Sequence, residues 1–284
     1  MRKSGIALSF LFLLAVSSCE LFNFDSDGDG GLSTEEIVEG LKTALVIGTD
    51  SSTSVLSAVN GYYGDALVKI PLPQEAQKVQ SDINSVLSLA PSLSSYLSLD
   101  DKFENVVKSV NRAAESAAKE AAPIFGNAIR DMTISQGWDI LNGVVPSESG
   151  VKDAGFDSTA ATQYFRIKTY DALTGLYAPK IDAVLDQNLG LGFSANQAWS
   201  TLRTSYNSAV STIKGNFLTN LALEATGYDL DPIVTESIGV FATEKALDGL
   251  FFKVGEEEKK IRRDPWQWAV DIIQRVFGYI QEHI

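Results

Sequence analysis

Residues 100–123 read DDKFENVVKSVNRAAESAAKEAAP. Phe103, Val106, Val107, Val110, Ala113, Ala114 and Ala117 recur at steps of three and four, which sets them on one face of an α-helix. Alanine is the strongest helix former, and Pro123 predicts a bend where its ring meets the preceding turn. The same period runs along most of the chain. Ile37, Leu41, Ala44 and Leu45 share a face of a helix starting near Thr34, and residues 164–189, 195–226 and 232–263 carry similar patterns. A last helix sets Trp266, Ala269, Ile272, Ile273, Val276 and Ile280 on one side. Asp231-Pro232 and Asp264-Pro265 each place an N-cap acceptor before a proline at the first helical position. Gly61, Gly143 and Gly227 are candidate stops. Only residues 66–72 (ALVKIPL) are extended in character, and Pro71 and Pro73 would limit any sheet. The expected fold is all-α: a multi-helix single-domain bundle.

The first residues, MRKSGIALSFLFLLAVSSC, carry a different signal. Arg2 and Lys3 precede an apolar stretch from Ile6 to Val16, shorter than the roughly 20 residues that span a bilayer and proportioned like a signal-peptide core. Val16-Ser17-Ser18-Cys19 resembles the lipobox of bacterial lipoprotein precursors, whose cysteine is acylated and becomes residue one of the mature chain. Small residues suit an extended peptide in a protease groove, and the thiol is the soft nucleophile that takes the diacylglyceryl group. Cys19 is the only cysteine, as expected if the lipid consumes it. The alternative is ordinary cleavage nearby, leaving a free thiol. Covalent diacylglycerol and an N-acyl chain on Cys19 would anchor the chain stably, because two or more acyl chains hold where one is marginal. Glu20, rather than aspartate, follows the cysteine; by resemblance to enterobacterial lipoproteins this points to the outer membrane, with its face open.

Three segments follow: a signal peptide at 1–18, a lipidated tether at 19–31, and an all-helical domain at 32–284. The domain is long enough to bury a sizeable core. The chain holds 36 acidic and 23 basic residues, and losing Arg2 and Lys3 takes the formal charge from −13 to about −15. That balance argues against nucleic acid and anionic lipid surfaces as partners. The lipid anchor is then the expected membrane attachment.

Residues 25–36 (DSDGDGGLSTEE) match the spacing of an EF-hand calcium loop. Asp25, Asp27 and Asp29 would supply carboxylates, Gly30 the sharp turn, Gly31 its backbone carbonyl, Ser33 a contact through water, and Glu36 a bidentate carboxylate. The loop has almost no entering helix and no partner loop, so it is closer to dockerin-like loop-then-helix units. Ser33-Thr34-Glu35-Glu36 is also a capping box, with Ser33 as N-cap and Glu36 at N3, which accounts for part of the pattern without metal. An acidic, glycine-rich stretch after a lipidated cysteine can also be a solvated spacer or an export signal.

Other chemistries are poorly supported. His283 is the only histidine and is penultimate, which disfavours a histidine triad, a histidine-ligated zinc site or a buried histidine base. No P-loop is present, and Gly190-Leu191-Gly192 lacks the spacing of a dinucleotide fingerprint and reads as a helix break. Residues 256–263 (EEEKKIRR) read as exposed i,i+3 and i,i+4 pairs whose basic end complements the helix dipole. Tyr62, Tyr63, Trp138, Trp199, Trp266 and Trp268 read as core anchors, although Trp266 and Trp268 cannot both face one side of a helix.

GLSTEEIVEGLKTALVIGT (31–49), ALVKIPLP (66–73), NRAAESAAKEAAPIFGNAIRDMT (111–133), ATQYFRIKT (161–169) and ATEKALDGLFFKVGEEEKKIRRDP (242–265) together resemble the bacterial family termed domain of unknown function 4197. The resemblance is collinear over nearly the whole mature body. It implies one mostly helical domain in exported, often lipid-anchored proteins, and supplies no activity or catalytic residues. The expected role is non-enzymatic: an envelope body that binds a protein or apolar small-molecule partner, with a calcium loop near the anchor. The alternatives are a carboxylate-based envelope hydrolase and a structural element of an outer-membrane assembly. An exposed apolar groove would favour the first, and two convergent unpaired carboxylates in a cleft the second.

Overall fold

In the computed structural model, residues 31–146 and 155–283 are described. Ten α-helices form, and no β-strand is present among these residues. They are α1 (Thr34–Leu56), α2 (Gln74–Leu89), α3 (Ser94–Leu97), α4 (Asp100–Asp131) and α5 (Gly137–Leu141). After these come α6 (Ala160–Leu185), α7 (Ala195–Gly215), α8 (Phe217–Glu224), α9 (Gly239–Arg263) and α10 (Asp271–His283). The all-α expectation holds. So does the long amphipathic helix, although α4 runs on through Pro123 at the expense of one backbone hydrogen bond.

Four helices make the core by closing a ring of contacts: α1 packs on α4, α4 on α6, α6 on α9, and α9 on α1. Phe125, Phe165 and Phe251, one from each of α4, α6 and α9, meet at its centre, with ring centroids 5.2–5.6 Å apart. α7 lies outside on α4, and α10 outside on α1. Gly40 permits the second contact: a Cβ there would come within 2.7 Å of the Val276 side chain. No helix among the described residues is long and apolar enough to cross a membrane.

Two stretches depart from their local patterns for the same reason. Residues 66–68 form a turn and residues 69–73 are irregular, joining no helix or sheet. Asn111, buried on α4, takes both backbone groups of Ile70: its Oδ1 accepts the N–H at 2.8 Å and its Nδ2 donates to the carbonyl at 2.8 Å. Residues 232–238 were expected to begin a helix at Asp231-Pro232, but α9 starts only at Gly239. Asn207 on α7 holds Ile233 in the same two-sided way, at 2.8 and 2.9 Å. Glu75 accepts the Val234 and Thr235 N–H groups, and Trp199 donates to the Thr235 carbonyl. Remote side chains thus satisfy backbone groups that a helix would otherwise pair.

The remaining boundaries differ locally. The expected 195–226 helix breaks at Asn216, whose extended backbone and side-chain acceptor cap α8. Asp264-Pro265 opens one 3₁₀ turn rather than the last helix, which begins at Asp271. Trp266 is therefore 54% exposed, with its ring edge against Gly278, while Trp199 is fully buried. Gly143 and Gly227 are left-handed stops as expected; near Gly61 that conformation falls to Asn60 instead. Gly190 and Gly192 lie in a left-handed loop between α6 and α7, in agreement with the helix-break reading.

Candidate functional site

The signal-peptide residues, Cys19, the tether, and Asp25, Asp27, Asp29 and Gly30 lie outside the described residues. Of the candidate calcium ligands, Gly31, Ser33 and Glu36 are described. The capping box is present in full: Ser33 Oγ accepts the Glu36 N–H at 3.1 Å, and Glu36 Oε2 accepts the Ser33 N–H at 2.8 Å. The other carboxylate oxygen of this buried side chain accepts from Arg275 on α10. That hydrogen bond holds the Glu36 carboxyl below the usual glutamate range, against the opposing effect of burial. Glu36 therefore offers no free pair of oxygens as it stands, and a cation in the 25–36 loop would have to take it from Arg275.

Buried carboxylates elsewhere do structural work. Glu115 accepts the Tyr62 and Tyr63 N–H groups at 3.2 and 3.0 Å and pairs with Arg112. Glu258 accepts the N–H groups of Ala161 and Thr162 at 3.0 and 2.8 Å, capping α6 from another helix. Its partner Arg262 also donates to the carbonyls of Ile140 and Leu141 at the end of α5. The charge run at 256–263 is accordingly of two kinds. Glu256–Lys259 and Glu257–Lys260 are the surface pairs expected from spacing, whereas the Glu258–Arg262 side chains are only 1% and 6% exposed.

Two concavities stand out. A groove of about 820 Å³ lies between α1 and the end of α4, with Val38, Val46, Ile47, Ile129 and Ile134 as its apolar wall. Glu35, Glu39, Lys42 and Arg130 are its charged members, and Lys42 Nζ donates to the Arg130 carbonyl at 2.7 Å. Gly126 also lines it, and a Cβ there would meet nothing within 4 Å.

A second cleft, of about 460 Å³, opens between the 67–71 segment, α6 and α9. Its charged residues are Lys69, Arg166, Lys245 and Asp248. Asp248 accepts from Arg166 at 2.6 Å, Lys245 at 3.1 Å and Tyr170 at 3.2 Å. Burial, helped by the Asp248 charge, pushes the Tyr170 hydroxyl up to about 12, so it remains a neutral donor near pH 7. The adjoining Gly249 has another purpose: a Cβ there would lie 2.7 Å from the Tyr62 ring. No sequence motif marks this cleft, because its residues come from three separated segments.

The fold and its concavities define a single-body, all-helical domain with a large apolar groove and a smaller charged cleft. The chain belongs to the family described as a protein of unknown function, DUF4197, which it matches over residues 31–278. No curated protein and no solved structure matches it.

Proposed function

We propose that this protein is a lipid-anchored component of the bacterial envelope, tethered to the outer membrane through acylated Cys19, whose body binds an apolar small molecule and is not an enzyme. The α1–α4 groove carries the binding half of this reading. Its volume falls within the few hundred to about 1,000 Å³ typical of small-molecule sites, and its wall is aliphatic with charges at the margin. The lipobox-like run ending at Cys19 carries the anchoring half.

The neutral fluorescent probe N-phenyl-1-naphthylamine tests the groove. Gly126→Leu, whose Cβ would meet no atom within 4 Å, should occupy the groove and weaken probe binding at least tenfold, with the melting temperature preserved. Unchanged binding in that variant would exclude the groove as the site. Metabolic labelling with a palmitate analogue tests the anchor; label surviving in Cys19→Ser would overturn it.

The 25–36 loop is proposed to take calcium through Asp25, Asp27, Asp29, Gly31, Ser33 and Glu36, and to order the join between anchor and body. Because Arg275 engages Glu36, calcium must compete for that carboxylate. Calorimetry on the mature chain should show binding that is lost in Glu36→Gln and several-fold tighter in Arg275→Ala. An absence of heat at millimolar calcium in both the native chain and Arg275→Ala would eliminate the loop as a metal site.

A further inference from the structure

We infer that the cleft between the 67–71 segment, α6 and α9 is a second ligand site, selective for a small organic carboxylate with an apolar body. The first ground is a surplus of positive charge. Lys69, Arg166 and Lys245 line the cleft against one carboxylate, Asp248, which leaves two positive charges in excess within a chain of net charge −13. Both oxygens of Asp248 are also engaged, accepting from three groups between them. It therefore sets Arg166 and Lys245 beside each other while using only part of their donor capacity. A guanidinium has five N–H donors and an ammonium three, and one from each points at Asp248.

Lys69 is the second ground. Its ammonium lies 4.1 Å from the centroid of the Tyr63 ring and has no carboxylate partner among the described residues. Of the neighbouring acids, Asp65 pairs with Lys253, and Glu104 accepts from the Tyr63 hydroxyl and forms no ion pair with Lys69. Asp100 and Asp101 line the neighbouring concavity that Lys69 borders on its other side, and Glu244 acts on Tyr170. The half-buried Lys69 ammonium, in a direct ion pair with none of these acids, adds to the two partly spent cations that line the cleft, and positive potential there draws in anions.

The third ground is the wall. Ile70, Pro71, Phe251 and Phe252 line the same cleft, and the Arg166 guanidinium lies 5.5 Å from the Phe251 ring centroid. Fork-like donors beside aromatic surface suit a carboxylate joined to an apolar group, since arginine pairs with carboxylates through parallel hydrogen bonds and an apolar body buries against the rings. Inorganic phosphate shares the charge but cannot use the wall. This site is separate from the α1–α4 groove, so either can fail alone.

Calorimetry at low salt tests the inference on the full anchored chain in lipid nanodiscs, with empty nanodiscs subtracted. 4-Phenylbutyrate should bind one to one, at least tenfold more tightly than 4-phenyl-1-butanol and at least tenfold more tightly than inorganic phosphate. Lys69→Gln, which strands no buried carboxylate, should weaken it about fivefold with an unchanged melting temperature. Arg166→Gln should weaken it about tenfold, and Gly126→Leu should leave it unaffected. Equal binding of the alcohol or of phosphate, indifference to Lys69→Gln, or no heat with 4-phenylbutyrate would each overturn the assignment. Displacement of N-phenyl-1-naphthylamine from the α1–α4 groove as the only response would do the same.

Discussion

Replacing Glu258 with alanine removes one carboxylate that serves two helices at once. Three donors on α6 lose their acceptor: the Ala161 and Thr162 N–H groups and the Thr162 hydroxyl, at 3.0, 2.8 and 2.6 Å. Arg262 loses its counter-charge while remaining buried. Removing one member of a buried ion pair costs about 3–5 kcal/mol, and losing a helix N-cap about 1 kcal/mol. The two overlap here, and Arg262 keeps the Ile140 and Leu141 carbonyls, which places the total near 4 kcal/mol. For a body of this size 1 kcal/mol moves the melting temperature by about 2–4 °C, so the variant should melt about 8–16 °C lower. Urea unfolding followed by circular dichroism gives the free energy directly. Hydrogen exchange should quicken first at residues 160–165, the start of α6. The double variant Glu258→Leu/Arg262→Met should cost less than its two single variants combined, by about 1–3 kcal/mol, because it leaves no stranded charge. A loss below 1 kcal/mol in Glu258→Ala, or strict additivity in the double variant, would refute the account of Glu258 as the tie between α6 and α9.

Three further outcomes follow from the geometry. Gly249→Ala should destabilise by about 1–3 kcal/mol, since the new methyl meets the fully buried Tyr62 ring, and a thermal melt within 1 °C of the native protein would show that the ring yields freely. Asn111→Leu should cost about 2–4 kcal/mol by stranding the buried N–H and carbonyl of Ile70, and residues 66–73 should become sensitive to protease; intact resistance would contradict the clamp. Glu36 has a folded-state pKa below its unfolded value, so its contribution to stability is present above the unfolded value, near 4.5, and is lost as pH falls through the folded one. Stability measured from pH 6 down to pH 3 should therefore fall less steeply in Glu36→Gln than in the native chain, and parallel curves would dismiss the Arg275 contact as its cause.

How far the fold could be read from the sequence depended on where each segment's backbone hydrogen bonds go. In α4 and α1 they close within the helix, so propensity, period and caps were enough, and Ser33 with Glu36 could be recognised as a capping box before any coordinates. At residues 66–73 and 232–238 the partners are Asn111, Asn207, Glu75 and Trp199, which lie tens to well over a hundred residues away in the chain. Local pattern suggested a strand in one case and a helix in the other, and in both the backbone is irregular and held by remote side chains. The charge run at 256–263 shows the same limit: spacing located the pairs, but only packing determined that Glu258–Arg262 is buried while Lys259 and Lys260 reach solvent.

The sequence by itself established an all-α body, its family, a lipobox-like cysteine at position 19 and a calcium-type spacing at 25–36, because each is written in residues close along the chain. Tertiary structure alone decided that Glu36 answers to Arg275 and that α1 and α4 leave an apolar groove. It also gathered Lys69, Arg166, Lys245 and Asp248 into one cleft. Those features come from helices meeting side by side, and a helix's own period specifies which face it buries but not which partner it buries it against.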